Sequence, residues 1–348
     1  MGRRDFLKGA GAASLAASAL ASPKAAIASV AAPEVVRPRR LKPGDRVGLV
    51  APASANFRSV DVEIAQELAR AFSLEPRLGA HVRDRHGYLA GRDEDRAADV
   101  NRFFADPQVS AIFAIRGGWG SARILPLLDW DRVRRNPKVV TGFSDVTGLH
   151  CGLLARAGLV TFHAPTALSD WPPFSVDLFR RVVFEGEAVT MANPPGEEQR
   201  LVQRENRIRT IVPGRARGRL LGGNLTVLTA LVGSPYVPAF DGAILFLEDV
   251  NEEIYRVDRM LTQLKLAGML GRVRGFVFGS CSQCDPGEGY GSLTLEEVLD
   301  EHVKPLGIPA YEGAMIGHQD RQFTVPVGVE VELDASAGTI RMLEPAVL

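Results

Sequence analysis

Apolar positions in the first half of the chain switch repeatedly between a strand period and a helix period. Short β-branched or aromatic runs predict strands at Arg46–Ala51, Ala111–Arg116, Val139–Phe143 and Leu159–His163. Between or after them, apolar residues spaced three and four apart predict helices at Val60–Phe72, Asp93–Phe104, Ala122–Leu128 and Val146–Ala157. Alternation of this kind argues for a parallel sheet covered by helices on both faces. Ligands bind beyond the carboxyl ends of the strands in such sheets. Three polar or glycine-rich loops leave those ends, Ala51–Asn56 (A-P-A-S-A-N), Arg116–Ser121 (R-G-G-W-G-S) and Gly142–Asp145 (G-F-S-D), and they are expected around one cleft.

The pattern loosens from Leu168 to Arg209, where W-P-P and N-P-P-G punctuate a stretch with one predicted helix near Val176–Phe184. A second unit follows. Gly222, Gly223 and Asn224 open a helix to about Leu231, a strand Ala243–Leu247 runs into Glu248 and Asp249, and a helix Ile254–Leu266, a strand Phe276–Gly279 and short strands after Ile308 complete it. A chain of 348 residues exceeds the size at which one core is comfortable. The expected division is therefore a domain over residues 41–168, a linker over 169–209 and a second domain over 210–345.

The first residues read differently. Arg3 and Arg4, followed by F-L-K, precede an alanine- and glycine-rich run from Gly9 to Ala21, with small-residue sites at 19–21 and 26–28. Residues 1–28 are expected to be a twin-arginine export signal that delivers the protein to the periplasm. The run falls short of the ~20 apolar residues of a membrane span, so no membrane association is expected after cleavage. The whole chain is 46% hydrophobic and balances 41 basic against 41 acidic side chains, a near-neutral composition that argues against a nucleic-acid footprint. Cys281 and Cys284 form a C-x-x-C pair with no second pair or nearby histidine to complete a zinc site. They read as a loop pair open to oxidation after export, and Cys151 as a packed core residue. No cofactor and no metal are expected.

Candidate chemistry concentrates in V-V-T-G-F-S-D-V-T-G-L-H, residues 139–150. A buried strand breaks at Ser144 and turns directly into a helix, whose amides and dipole favour developing negative charge beside the hydroxyl. Ser144 or Asp145 also satisfies the requirements of a helix N-cap. The R-G-G-W-G-S loop lacks the spacing of a dinucleotide fingerprint and the lysine-serine pair of a P-loop. Amides of Gly118 and Asp145 would instead suit an oxyanion hole, with a plain structural turn as the alternative. A serine nucleophile needs a base. Of the six histidines, His81 and His86 lie in a charged loop, His150 on a helix, and His302 beside Asp300 and Glu301 on an expected solvated face. His163 ends a strand near the cleft, and His318 follows a glycine in a loop. Glu248, just after an apolar strand, offers a carboxylate to orient an imidazole.

Taken in order, these segments resemble the LD-carboxypeptidase family of serine peptidases, which includes muropeptide carboxypeptidases and microcin C immunity peptidases. The resemblance spans about Leu41 to Gly328 and rests on G-L-V-A-P-A-S (48–54), Y-L-A-G-R (88–92), A-I-R-G-G-W-G (114–120), G-F-S-D-V-T (142–147), F-H-A-P (162–165), L-G-G-N-L (221–225), L-E-D-V (247–250) and G-H (317–318). It implies Ser144 as nucleophile, His318 as general base, Glu248 as its orienting carboxylate, and amides of Gly118 and Asp145 as oxyanion donors. It further implies an α/β homodimer with an N-terminal amidotransferase-like parallel-sheet domain and a C-terminal swivelling domain. Trp119 stands where the family usually has tyrosine. The implied activity is hydrolysis of the bond between an L-configured diamino acid and a terminal D-alanine in murein tetrapeptides, a peptidoglycan-derived substrate. Cleavage of a peptidyl-nucleotide or other modified peptide is the alternative within the family, and a non-catalytic periplasmic binding protein the alternative outside it.

Overall fold

The computed structural model describes residues 33–195, 202–203, 206–286 and 291–348. The export signal expected at residues 1–28 lies outside the described residues, as does part of the expected linker. The predicted alternation produces β1 (Arg46–Val50), β3 (Val109–Ala114), β4 (Val139–Gly142) and β5 (Thr161–His163); with β2 (Glu75–Leu78), a half-exposed edge strand that the apolar pattern did not predict, they pair in parallel in the order β5-β4-β3-β1-β2. All four residues of β4 are buried, consistent with cover on both faces.

A second sheet contains β6 (Thr190–Ala192), β7 (Arg209–Val212), β8 (Arg215–Asn224), β9 (Ile244–Val250), β10 (Gly275–Ser282) and β11 (Ala310–Glu312). The chain then returns to the first sheet as β12 (Val325–Val327), antiparallel to β5, before β13 (Glu330–Asp334) and β14 (Thr339–Met342) complete the second. The second sheet runs β6-β14-β13-β8-β9-β10-β11-β7, with a parallel centre from β8 to β11. Both sheets belong to one compact unit, Ala32–Leu348. Among the described residues no helix is long and apolar enough to cross a membrane.

Why these segments adopt these forms is mostly local. The helix Ile254–Leu266 buries Ile254, Val257, Met260, Leu261 and Leu264, one stripe at helical spacing. Each such side chain contributes about 1.5–3 kcal/mol when fully removed from water. Thr294 and Glu297 close a reciprocal capping box on the helix Leu295–Val303. The ten-residue strand β8 was not apparent in the sequence, because its first half, R-A-R-G-R, reads as solvated charge. Cross-strand partners explain it: Arg215 pairs with Asp334 and Arg217 with Glu332, each at 2.7 Å. The helix expected at Val176–Phe184 spans Pro173–Phe179 and continues as a π-helical turn, Arg180–Glu185. His302 is buried rather than solvated, with Nε2 2.7 Å from Asp258 Oδ1. The acids before it in sequence face outward, but its own position falls on the packed side of that helix.

The two sheets meet behind the serine turn. Gly223 of β8 lies so close to the helix Thr147–Ala157 that a Cβ there would sit 2.5 Å from Thr147 Oγ1. Thr147 Oγ1 accepts the Asn224 amide at 2.9 Å. Deeper in the same helix, His150 is fully buried between Thr161 Oγ1 and the Gly142 carbonyl, each 2.8 Å away. Burial pulls its pKa down to about 4, so the folded chain holds it neutral. An unfolded histidine takes up a proton near pH 6.5, so His150 favours folding above that pH and the advantage is lost as pH falls from about 6.5 to 4. The loss expected from this group is roughly 3 kcal/mol. Denaturant midpoints at pH 7 and pH 5 should therefore fall more steeply for wild type than for His150→Gln. Equal pH dependence of the two proteins would reject the assignment.

Candidate active site

The three loops expected around one cleft do converge. Ser54 Oγ accepts the Trp119 amide at 3.0 Å, and the Ser54 amide donates to the Gly117 carbonyl at 3.4 Å. A Cβ on Gly117 would lie 3.1 Å from Ser144 Cβ and 3.4 Å from the Asp145 amide nitrogen, which seats the glycine loop directly against the serine turn. Gly118 itself is half-buried, whereas Asp145 is buried.

Ser144 opens a 3₁₀ turn, Ser144–Val146, with φ 61°, a left-handed conformation that is uncommon for a residue with a side chain. Its hydroxyl is not spent on a cap: Oγ lies 3.0 Å from His318 Nε2. His318 Nδ1 lies 2.8 Å from Glu248 Oε2. A carboxylate can only accept, so Nδ1–H donates to Glu248 and leaves Nε2 to receive the serine proton. The three groups arrive from separate strand ends, Ser144 after β4, Glu248 inside the carboxyl end of β9, and His318 from the loop after β11. Glu248 is completely buried, while the His318 side chain keeps 21% of its surface exposed. A hydroxyl, imidazole and carboxylate in series can move a proton from an attacking oxygen to a leaving group.

The neighbouring acids have other partners. The Asp145 carboxylate accepts the Ser121 amide at 2.7 Å, so it caps the helix Ser121–Ile124 across the cleft rather than its own turn. Burial raises its pKa, opposed by those hydrogen bonds. Asp249 accepts from Asn224 Nδ2, the Thr226 amide and Thr226 Oγ1 at 2.8–2.9 Å, and burial followed by the nearby Glu248 raises its pKa.

Several residues around the site hold positions that the sequence did not assign them. Phe143 packs its ring on His318, with centroids 4.8 Å apart. Arg96, fully buried, donates to the Gly120 carbonyl at 2.9 Å and also to the Pro52 carbonyl and Asp93, tying together two of the cleft loops. In the sequence it is one charge among many on a polar helix, and such charges are almost always exposed. His163, expected at the cleft edge, instead lies in the interior against Phe143 and Phe246, and burial holds its pKa well below the ordinary histidine value. His81 and Asp84 of a loop and Asp95 of the helix Asp93–Ala105 place potential ligand atoms within 4.8 Å of one another at a partly exposed position, a set that includes neither His318 nor Glu248. Cys281 and Cys284 are joined in a disulfide, and Cys151 is free and buried.

Gly317 sets the spacing of the acid and the imidazole. It has φ 106°, and a Cβ there would lie 2.4 Å from Glu248 Oε2. Gly317→Ala is expected to push the carboxylate or His318 out of line and to lower turnover about a hundredfold, by analogy with the cost of small misplacements. Steady-state rates alongside circular dichroism test this, and a variant with full activity would mean that the loop adjusts freely.

Residues 47–164 match the LD-carboxypeptidase N-terminal domain and residues 217–333 the LD-carboxypeptidase C-terminal domain. A Streptomyces coelicolor protein with the provisional name of carboxypeptidase is 41% identical over 321 residues, covering 90% of this chain and 98% of the relative. The murein tetrapeptide carboxypeptidase of Pseudomonas aeruginosa is 30% identical over 310 residues, covering 84% of this chain and 94% of its own. The wild-type apo structure of the microcin C7 self-immunity protein MccF, a protein known from Escherichia coli, superposes with a TM-score of 0.81 at 25% identity, covering 90% of this chain and 100% of that one. The fold is the expected α/β arrangement of a parallel-sheet N-terminal part and a second sheet, and the chain belongs to the LD-carboxypeptidase family.

Proposed function

We propose that this protein is a serine-type carboxypeptidase that releases the terminal D-alanine from murein tetrapeptides. The observation that carries the reading is the unbroken series Ser144 Oγ, His318 Nε2, His318 Nδ1 and Glu248 Oε2, at 3.0 and 2.8 Å, from three separate strand-end loops. Ser144 Oγ attacks the carbonyl carbon of the diamino acid while His318 Nε2 takes its proton. Glu248 holds the ring and balances the imidazolium charge. The amides of Gly118 and Asp145 receive the carbonyl oxygen as it becomes negative. Collapse breaks the C–N bond, and His318 returns the proton to the departing D-alanine amine. Water, deprotonated by the same histidine, then hydrolyses the acyl-serine ester and restores the hydroxyl.

Family membership supports a carboxypeptidase, and the Pseudomonas aeruginosa relative's name supports the tetrapeptide. Purified protein incubated with tripeptide, tetrapeptide and pentapeptide stems should release D-alanine from the tetrapeptide, followed by mass detection. Turnover of a peptidyl-nucleotide without turnover of the tetrapeptide would favour a microcin-type role, which the likeness to MccF makes the second reading. Absence of turnover on every peptide would leave a binding protein.

We also propose that the enzyme is exported and works on cell-wall peptides as a homodimer. Arg3 and Arg4 support export, and lysine at both positions should retain the precursor in the cytoplasm without changing the activity of the folded part. Wild-type protein found only in the cytoplasm with its leader uncut would refute this. Sedimentation at micromolar concentration reads the dimer.

A further inference from the structure

We propose that the disulfide-closed turn Cys281–Cys284 positions the His318 imidazole, acting through Ser282. The inference rests on the triad reading above and extends it to a segment outside the triad. The carboxyl end of β10 runs beside the His318 loop: the Ser280 amide and hydroxyl both donate to the Ile316 carbonyl, at 2.9 and 3.2 Å, and Ser282 Oγ donates to the carbonyl of His318 itself. On its other side the same end is paired with the strand that carries Glu248. Cys281 stands opposite Asp249 and Ser282 opposite Val250, and the Ser282 carbonyl accepts the Asn251 amide at 2.8 Å. Ser282 therefore links the backbone of the base to the strand of its acid.

The disulfide controls where that hydroxyl points. Ser282 and Gln283 are enclosed between the two sulfurs, and Gln283 is held at φ 57°, a conformation that a residue with a side chain seldom keeps unless its surroundings impose it. The closed loop is very short, so the bond constrains this turn far more than the whole chain. Opening it frees Ser282 to rotate away from the His318 carbonyl, and small displacements of a catalytic group reduce turnover more than they reduce binding.

Both cysteines are half-buried and so within reach of a dithiol. A dithiol thiolate attacks one sulfur and its second thiol resolves the mixed disulfide, leaving two protein thiols and an oxidised, cyclic reductant in a balanced two-electron exchange. Cys151 takes no part: it is fully buried, and burial pushes its thiol up to about 12.

The test uses the full-length oxidised chain, with D-alanine release from tetrapeptide measured before and after dithiothreitol while free thiols are counted. Reduction of the pair is expected to lower kcat about tenfold with KM within about twofold, and oxidised glutathione should restore it. Cys281→Ser combined with Cys284→Ser should show the same low kcat and no response to reductant. Ser282→Ala should resemble it, and Ser282→Thr, which keeps the hydroxyl, should regain most of the rate. Complete reduction with kcat unchanged would overturn the proposal, as would a parallel collapse of the thermal midpoint, which would make the bond a general staple. Should wild-type protein cleave no peptide, the functional reading fails by itself. Amide hydrogen exchange at residues 316–319 then decides the positioning role: faster exchange on reduction supports it, and unchanged exchange overturns it.

Discussion

Ser144→Ala is expected to lower D-alanine release by about 10⁴-fold or more while the fold persists, because the substitution removes the proposed nucleophile and leaves only the proposed oxyanion donors and binding. The surroundings should hold. Asp145, not Ser144, caps the neighbouring helix, and the Ser144 hydroxyl has His318 as its partner. Glycine at the same position separates catalysis from backbone strain. Ser144 sits at φ 61°, where a side chain costs roughly 1 kcal/mol or more and glycine does not. Ser144→Gly should thus be inactive yet at least as resistant to denaturant as Ser144→Ala. Mass detection of D-alanine and urea midpoints on the three proteins read both effects. Activity above about a tenth of wild type in either variant would remove Ser144 from the role of nucleophile, since loss of a helix cap changes stability by only about 1 kcal/mol.

Glu248→Gln is expected to reduce kcat about 10³-fold with little change in KM. The carboxylate is completely buried and receives His318 Nδ1 at 2.8 Å, and in the proposed mechanism it supplies the negative charge that an imidazolium needs. A glutamine keeps the volume but removes the charge, and its amide can donate to Nδ1, which fixes the tautomer with the proton on Nε2 so that this nitrogen cannot accept from serine. Asp249 cannot take over. Successive residues of a strand point to opposite faces, and the Asp249 carboxylate is occupied by Asn224 and Thr226. Steady-state kinetics on Glu248→Gln and Asp249→Asn should therefore separate the two acids, with the large kcat loss confined to Glu248. A full rate in Glu248→Gln would make that carboxylate structural and leave the imidazole without its third member.

Periodicity made the first sheet readable because parallel strands buried on both faces are short apolar runs, and β1, β3, β4 and β5 fall within two residues of their expected starts and ends. Strands built from cross-strand charge pairs escaped it. The arginines of β8 look like surface residues until Glu332 and Asp334 of β13 lie opposite them. The histidines divide along the same line. His318 was legible from its glycine and its motif, but the burial of His163 and His302 depends on which side of a strand or helix faces the core, and for His302 the charges before it in sequence obscured that.

By itself the sequence determined that a serine would stand at a strand-to-helix corner, that glycine-rich and polar loops would leave neighbouring strands, and that Glu248 would end an apolar strand. Local propensity, period and turn chemistry act over a few residues, and those features need nothing more. Only the tertiary structure decided that Ser144, Glu248 and His318 come within hydrogen-bond reach, because they lie 174 and 70 residues from one another along the chain, measured from His318. It also decided that Arg96 would bind two loops from inside the core and that Ser282 would hold the His318 backbone. Such contacts join segments far apart in sequence and exist only once the strands have paired and the sheets have packed, and no short-range pattern encodes a distance across those gaps.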